Sequence, residues 1–479
     1  LNRHRPAFTG KHHVHIFCGE YCHREMSEQQ LGLTEAVSMA LGGMIGGGIY
    51  AVMGVVAGIT TYATWAAFVL AGVVALAAGY SYNALNRLSD NRGGSVTFVQ
   101  SFTGNTTLAG MTGWTLLVGY IGSMAMYAFA FGEFTVAFEA VPGTIAGLPA
   151  RPLISVLAVA GFVGLNVLGA RTTGTVENVL VAAKVAILLA FGVLGLAYAL
   201  GFGGSDGSGL QFGAGQLTQF GPVVAAAISF VAFQGWQLLF YDQDSISDPV
   251  ATIRKAVYVA IPVAVLVYVL VGVVTVNLVP QALQTHPHVA LKDAASLMMR
   301  PYGLAALGGT VLALSALFST GSAINATLFS AAHFAKGMLR DDLLPDRIGS
   351  ADADGVPARL VVLLGAVTAA FTAVGGLGAI TSFASLSFIV VFGAMSYLAF
   401  RHRDQAAVNP VPPLVGVVGT AGFFPLMLWN LSQREPNTFY MVVVIAVLVV
   451  AVELLYFERD DIAKEVVPFD EVPVGDSSG

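Results

Sequence analysis

Charge is what this 479-residue sequence has least of, with Asp, Glu, Lys and Arg making up 10% of it, where a water-soluble domain carries about 25%. A chain so poor in charge cannot cover a folded surface with polar groups, which excludes an ordinary soluble protein. Cysteine is scarcer still. Cys18 and Cys22 are the two in the chain, so no disulfide framework braces the apolar part. An excess of basic residues is also missing: the formal charge is −6 and the pI about 5.8, and no nucleic-acid partner is expected. The acid lean comes from tails and from loop residues such as Asp341, Asp342, Asp346, Asp352 and Asp354. It fits a solubilising loop or a high-salt habitat.

Apolar residues are abundant, at 56%. Runs of about 20 of them, the length that crosses a bilayer core, recur along almost the whole chain and are far too long for barrel strands. Lipid offers the backbone no hydrogen bonds, so only helices or closed barrels span it. The fold class expected is an all-α polytopic membrane protein.

Residues 1–25 are polar and His-rich, Met26 opens a stretch that reads as a natural cytoplasmic start, and the first 25 residues are set aside as possibly non-native. Cys18, Cys22 and His23 with His12, His13 and His15 match no strong zinc spacing, and neither a metal site nor a cofactor is expected. Twelve spans are predicted near 34–57, 62–86, 110–138, 152–169, 175–200, 219–242, 256–279, 304–335, 358–377, 380–400, 411–430 and 438–457, leaving segment 1–33 and tail 458–479 outside the bilayer. With the N-terminus inside, the outer segments hold Arg151, Lys292, Arg300 and Arg434 of the 22 cations. Nearly all the rest fall inside, so the positive-inside bias predicts both termini in the cytoplasm.

Two spans carry sequences that a regular helix has no use for. The first holds Gly42, Gly43, Met44, Ile45, Gly46, Gly47, Gly48, Ile49 and Tyr50 at mid-depth, where each glycine costs close to 1 kcal/mol relative to alanine. The sixth holds Ser229 to Gln237, with Gly235 flanked by aromatics and the amides Gln234 and Gln237. Interrupted helices at matching positions of two halves point to a transporter's binding site, because half-helix N-termini offer N–H groups to anions and unwound carbonyls hold cations. A zwitterionic amino acid fits both. The competing reading is that the glycines let helices approach closely.

Six stretches, in order, resemble the amino acid, polyamine and organocation transporter superfamily. Gly43 to Tyr50 is similar to its first-helix G-x-I-G-x-G-I-F, Gly93-Gly94-Ser95-Val96-Thr97-Phe98 before Gly113-Trp114 to its G-G-x-Y-x-Y loop, and Asn178-Val179-Leu180 with Lys184 to its N-x-L-x-x-x-K. Phe233-Gln234-Gly235 resembles the F-x-G of the sixth helix, Asp244 to Pro249 with Ile253 and Lys255-Ala256 the acidic N-P segment after it, and Arg340-Asp341 to Pro345 the R-D-G-x-x-P after helix eight. The resemblance implies two inverted five-helix repeats, 34–200 and 219–400, followed by two peripheral helices over 411–457. It further implies that a substrate carboxylate meets N–H groups around Gly46, Gly47 and Gly48, and that the α-amine meets carbonyls near Met44 (with Ile45 beside it), Val231, Ala232 and Phe233. The substrate side chain would then lie against Phe230, Phe233, Trp236 and residues of helices three, eight and ten, with Gly235 and Gln237 also among the expected binding residues. The chain departs from the pattern at Gln237 (glutamate in some members), Arg254, Ala251 and His333.

Lys184 is predicted about nine residues, roughly 14 Å, inside the fifth span. Ionisable residues at such depth face cavities and mark ion paths. Desolvation disfavours the ammonium, so a lysine there can release its proton, and a proton-coupling role follows, with Ser319 and Ser322 as its partners from the resemblance. Snorkelling to the interface is the alternative. Glu133 and Glu139 read as interfacial, and His333 as a residue packing the inner mouth of span eight.

No constellation of paired carboxylates, metal ligands or nucleophile with base appears at membrane depth, so an enzyme is not expected. A channel or a non-transporting sensor is the reading from a different class. The function expected is secondary transport of amino acids by alternating access, as proton symporter, exchanger or uniporter, with polyamines or other organic amines as alternative substrates. The aromatic, uncharged surroundings of Gln234 and Gln237 favour neutral amino acids.

Overall fold

The computed structural model describes residues 31–168, 174–202, 209–340, 343–344 and 357–452. Expectations for residues 1–25, for Asp341, Asp342 and Pro345 of the loop motif, and for the tail lie outside the described residues. The described chain is overwhelmingly helical. Its helices are α1 (Leu33–Thr60), α2 (Thr64–Leu88), α3 (Ser95–Thr103), α4 (Thr106–Val136), α5 (Ala150–Val167), α6 (Gly174–Ala199), α7 (Gly221–Ser229), α8 (Pro249–Leu278), α9 (Ala282–Thr285), α10 (Ala290–Met299), α11 (Ala305–Arg340), α12 (Ala358–Val374), α13 (Leu377–Arg401), α14 (Val411–Arg434) and α15 (Pro436–Val452). A two-residue-stranded hairpin, β1 (Thr144–Ile145) with β2 (Leu148–Pro149), joins α4 to α5.

Element ends follow local chemistry. Gly104, at φ 66°, closes α3 in the left-handed conformation that glycine adopts freely, and the Asn105 side chain then accepts the Leu108 N–H at 2.9 Å to start α4. Eight helical stretches among the described residues are long and apolar enough to cross a membrane, the first being Leu33–Leu88 taken through the turn at Thr61, and three shorter apolar helices accompany them. Outward faces carry large apolar side chains, including Leu157, Val193, Leu194, Val418 and Trp429. In water such a surface would be an aggregation liability. Against lipid tails it is the expected covering.

At the centre lies α1, buried almost continuously from Ala40 to Ala57 and packed against α4, α6, α7, α8 and α11. Around it α2 lies along α8, α4 along α11 and α13, and α5 along α12.

The segment between α8 and α11 closes one end of α1. Its 3-10 turn Pro287–Val289 sits directly on Gly54, where a Cβ would come within 2.6 Å of the Pro287 carbonyl carbon. Beside it the His288 ring stands edge-on to Phe129, centroids 5.5 Å apart, and the other neighbour of Phe129 is the Arg151 guanidinium, 3.9 Å from the ring centre. Arg151 also donates to the Thr372 carbonyl at 2.9 Å and lies 3.9 Å from the Glu133 carboxylate. Glu133, expected at the interface, is therefore a half-buried partner of Arg151, while Glu139 is exposed. The remaining titratable groups of this region are His286, Lys292 and Asp293, on the same segment as His288, with Lys292 donating to the Ala137 carbonyl.

Burial first, and the Arg151 charge second, hold the His288 imidazole below its ordinary value, and its Nδ1 is buried with no hydrogen-bond partner among the described residues. Both causes favour the neutral form of the seated ring. Released into water it titrates near its ordinary value of about 6.5, so below that pH the released form binds more protons and seating weakens as pH falls. Protection of the His286, His288 and Val289 amides, taken relative to the intrinsic exchange rate at each pH, should fall between about pH 7.5 and about pH 5.5. His288→Phe should keep the segment seated and flatten that response; an equal response in the variant would assign it to another group.

Candidate functional site

The sixth apolar stretch is interrupted, as its sequence suggests. Helix α7 gives way at Phe230 to a 3-10 turn through Phe233, then to extended Gln234, to Gly235 at φ 125°, and to a second 3-10 turn over Trp236–Phe240. A side chain is strained at that φ, which is why glycine stands at the break. Every backbone group freed there needs a partner, and a neighbouring helix and the segment's own amides supply several of them. Ser385 of α13 accepts the Val231 N–H at 3.0 Å and donates to the Ile228 carbonyl at 2.5 Å. The Gln237 side-chain oxygen accepts the Gly235 N–H at 2.6 Å, and its amide donates to the Gln234 oxygen at 3.2 Å. Gln234 in turn donates to the Tyr127 hydroxyl of α4 at 2.5 Å.

The first stretch behaves otherwise. Leu33–Thr60 is one continuous α-helix, with its irregularity at Thr61, φ 42°, beyond the glycines. The expected interruption at Gly42–Gly48 is corrected accordingly, and the physical reason is packing. A Cβ on Gly43 would fall 2.7 Å from the Gly235 Cα, one on Gly46 2.8 Å from the Ala323 Cβ, and one on Gly48 3.1 Å from the Ala232 Cα, while Gly47 is covered by the Tyr127 ring. Glycine lets α1 lie backbone-to-backbone against the break in α7. The competing reading, close approach, is the one this geometry supports.

Although α1 is regular, side chains reach its carbonyls from three helices. The Lys184 ammonium on α6 donates to the Gly42 carbonyl at 3.3 Å, the Tyr268 hydroxyl on α8 to that of Met44 at 2.6 Å, and Ser319 on α11 to that of Ile45 at 2.9 Å. Ser322 donates to the Ser319 carbonyl at 3.0 Å. Lys184, Ser319 and Ser322, together with Ser315, line one cavity of about 70 Å³. Ser315 is also hydrogen-bonded to Tyr50 of α1 at 2.8 Å. The three residues singled out for proton coupling are thus brought together beside the glycine-rich part of α1, with Lys184 buried rather than snorkelled.

The remaining expected site residues, Met44, Ile45, Gly46, Gly47, Gly48, Phe230, Val231, Ala232, Phe233, Gly235, Trp236 and Gln237, are all buried at the contact of α1 with the interrupted segment. Their aromatic rings pack on other rings: Phe230 on Phe392 and Phe423, Phe233 on Tyr268, and Trp236 on Tyr82, Phe240 and Phe392. The site is closed in this conformation. A wider groove of about 490 Å³ lies elsewhere, between α13 and α14. His333 is exposed, its ring tilted against that of Phe329 with centroids 4.1 Å apart. Sequence reasoning missed Tyr127, Tyr268 and Ser385. Each is one of several hydroxyls within its apolar span, and the sequence does not say which of them meets a partner until helices are placed.

The amino acid permease family model matches residues 31–452. The chain belongs to that family. Among relatives of this permease, the inner membrane transport protein YbaT of Escherichia coli is 29% identical over 84% of the chain and 91% of the relative. The methylthioribose transporter of Bacillus subtilis is 24% identical over 86% and 90%, and the branched-chain amino acid permease BcaP of the same organism 23% over 66% and 68%. A solved manganese transporter of Eremococcus coleocola shares the fold, with TM-score 0.55 over 90% of this chain and 95% of that one at 12% identity. Family and relatives are membrane transporters rather than enzymes, and the permease is a multi-pass membrane protein.

Ser385 is the clearest structural dependency of the break. Ser385→Ala leaves the buried Val231 N–H without its acceptor, at a cost of about 1–3 kcal/mol. Melting of the purified permease in detergent should shift down by several degrees; an unchanged melting temperature would mean that the interrupted segment finds another acceptor.

Proposed function

We propose that this permease is a secondary active transporter of neutral amino acids, driven by an inward proton gradient across the plasma membrane, with Lys184 as the proton-carrying group. The observation that carries the reading is the placement of Lys184: buried, hydrogen-bonded to the Gly42 carbonyl, and lining a cavity with Ser319 and Ser322 against the helix that packs on the break. An ammonium at that place ties α6 to α1, and a neutral amine holds the contact less strongly. Proton release and a change in the position of α1 are then two sides of one equilibrium.

The substrate reading takes the carboxylate to the N–H groups of Gly46, Gly47 and Gly48, which requires α1 to unwind locally from the helix described above, and the amine to the carbonyls of Met44 and Ala232. Counting the Leu33–Leu88 stretch as two crossings and adding the three shorter apolar helices gives twelve spans, with both termini cytoplasmic by the positive-inside bias. The pairing of α1 with α7, α2 with α8, α4 with α11 and α5 with α12 joins four of the first five spans to the one five later. That is the pairing an inverted repeat of spans one to five and six to ten calls for. Exchange or uniport is the alternative within transport. The methylthioribose transporter among the relatives keeps a non-amino-acid substrate in the test.

The decisive measurement is uptake of radiolabelled amino acids, polyamines and methylthioribose into proteoliposomes, with and without an inward proton gradient, for the native chain and Lys184→Ala. Symport gives gradient-driven accumulation of neutral amino acids that the variant loses by at least about tenfold. Uptake indifferent to both gradient and substitution would leave an exchanger or uniporter.

A further inference from the structure

Tyr268 holds the point where α1 and the interrupted segment face each other. Its hydroxyl lies 2.6 Å from the Met44 carbonyl oxygen and 2.8 Å from that of Ala232. The ring is fully buried, fixed between Phe68 and Phe233 at centroid distances of 5.5 and 5.2 Å. Gly48 keeps the place open from the α1 side, since a Cβ there would come 2.9 Å from the hydroxyl. A phenol has one proton. With two carbonyls in reach, one of them at any instant meets the hydroxyl oxygen without a proton between them. One phenol proton therefore leaves an acceptor position between the two carbonyls unfilled.

We propose that the Tyr268 hydroxyl is a built-in stand-in for the substrate's ammonium group, occupying the meeting point of the Met44 and Ala232 carbonyls when the site is empty and displaced by a protonated amine. It rests on the reading of those carbonyls as the amine's partners and makes Tyr268 the residue that selects amines over amine-free analogues. An ammonium brings three protons and a positive charge, satisfies both carbonyls at once, and makes charge-assisted bonds about twice as strong as neutral ones. A neutral hydroxyl brings one proton, as Tyr268 already does, and gains nothing by the exchange. Selectivity thus comes from the contact that a competitor must break as well as from the contact it makes.

Tyr268→Phe removes the stand-in and keeps the ring packed. In the full-length purified chain, binding of radiolabelled alanine should become about three- to tenfold tighter in the variant, because no hydrogen bond has to be surrendered. Lactate, whose neutral hydroxyl gains nothing against the phenol, should fail to compete in the native protein and begin to compete in the variant, while propionate, with no donor at that place, should fail in both. Alanine binding equal to or weaker than native in a variant with native melting behaviour would overturn the proposal and reduce Tyr268 to a brace. A second measurement does not depend on the variant folding: with 3-fluorotyrosine placed at position 268 of the otherwise native chain, the fluorine resonance should move on addition of alanine and not of propionate. A resonance unmoved while alanine is bound overturns the stand-in alone. A native chain that binds neither alanine nor any simple amine overturns the amine site itself and the stand-in with it.

Discussion

A helix interrupted inside a hydrocarbon slab must have every freed backbone group answered by protein, because lipid cannot answer it. That constraint organises this permease. The break at Phe230–Gly235 persists because Ser385, Gln237 and Tyr268 take up its N–H and carbonyl groups, and each comes from a different part of the chain. The fold around the break is a set of helices placed to deliver those side chains. Residues such as Ser385 and Gln237, which on a soluble surface would be nearly neutral, here sit in positions where removal strands a buried donor.

The same constraint explains why α1 stays regular. A second interruption in the same closed conformation would double the number of backbone groups to be answered at one depth. Instead α1 keeps its own hydrogen bonds and spends its glycines on proximity, Gly43 against Gly235 and Gly48 against Ala232. Close backbone approach then lets single side chains reach across, and Lys184, Tyr268 and Ser319 bond carbonyls of α1 that already belong to a helix. Helical carbonyls accept a second bond through their remaining lone pair, so α1 is held from three sides without being unwound.

How much of this could be read from the sequence depends on which signals are local. Helix positions were legible because apolar runs of bilayer length are a property of the run itself, and α5, α12 and α14 begin within two residues of the expected positions. The break at Gly235 was legible because a glycine between two amides in an apolar span has no other local use. The state of α1 was not, since a run of glycines serves unwinding and close packing equally well, and which one prevails is decided by Gly235, Ala232, Ala323 and Tyr127 on other helices. Lys184 was legible as a cation deep in an apolar span, its partners Ser319 and Ser322 came through the family resemblance, and all three line one cavity. Ser385 was not legible because a serine in a membrane helix bonds its own preceding turn as readily as a neighbour, as Thr320 and Ser396 do in this chain, and the partners of the Tyr127 and Tyr268 hydroxyls are set by other helices.

Coupling between a proton and a substrate needs one element whose position both of them bias. In this structure α1 is the candidate, because three consecutive stretches of physics converge on it within four residues: the ammonium at Gly42, the phenol at Met44 and the serine at Ile45. Any ligand that competes for one of those carbonyls alters the hold of the others, since all are anchored on the same rigid helix. Under the proposed reading Lys184 holds α1 from α6 and Tyr268 holds it from α8, and symport requires that the protonated Lys184 keep α1 where the amine is received, so that amine departure and proton release favour one another. The expected coupling is reciprocal by linkage and of the order of 1–3 kcal/mol, which matches the strength of the one or two hydrogen bonds exchanged. A transporter assembled this way needs no long-range relay: the proton site and the amine site act on carbonyls two residues apart along one helix.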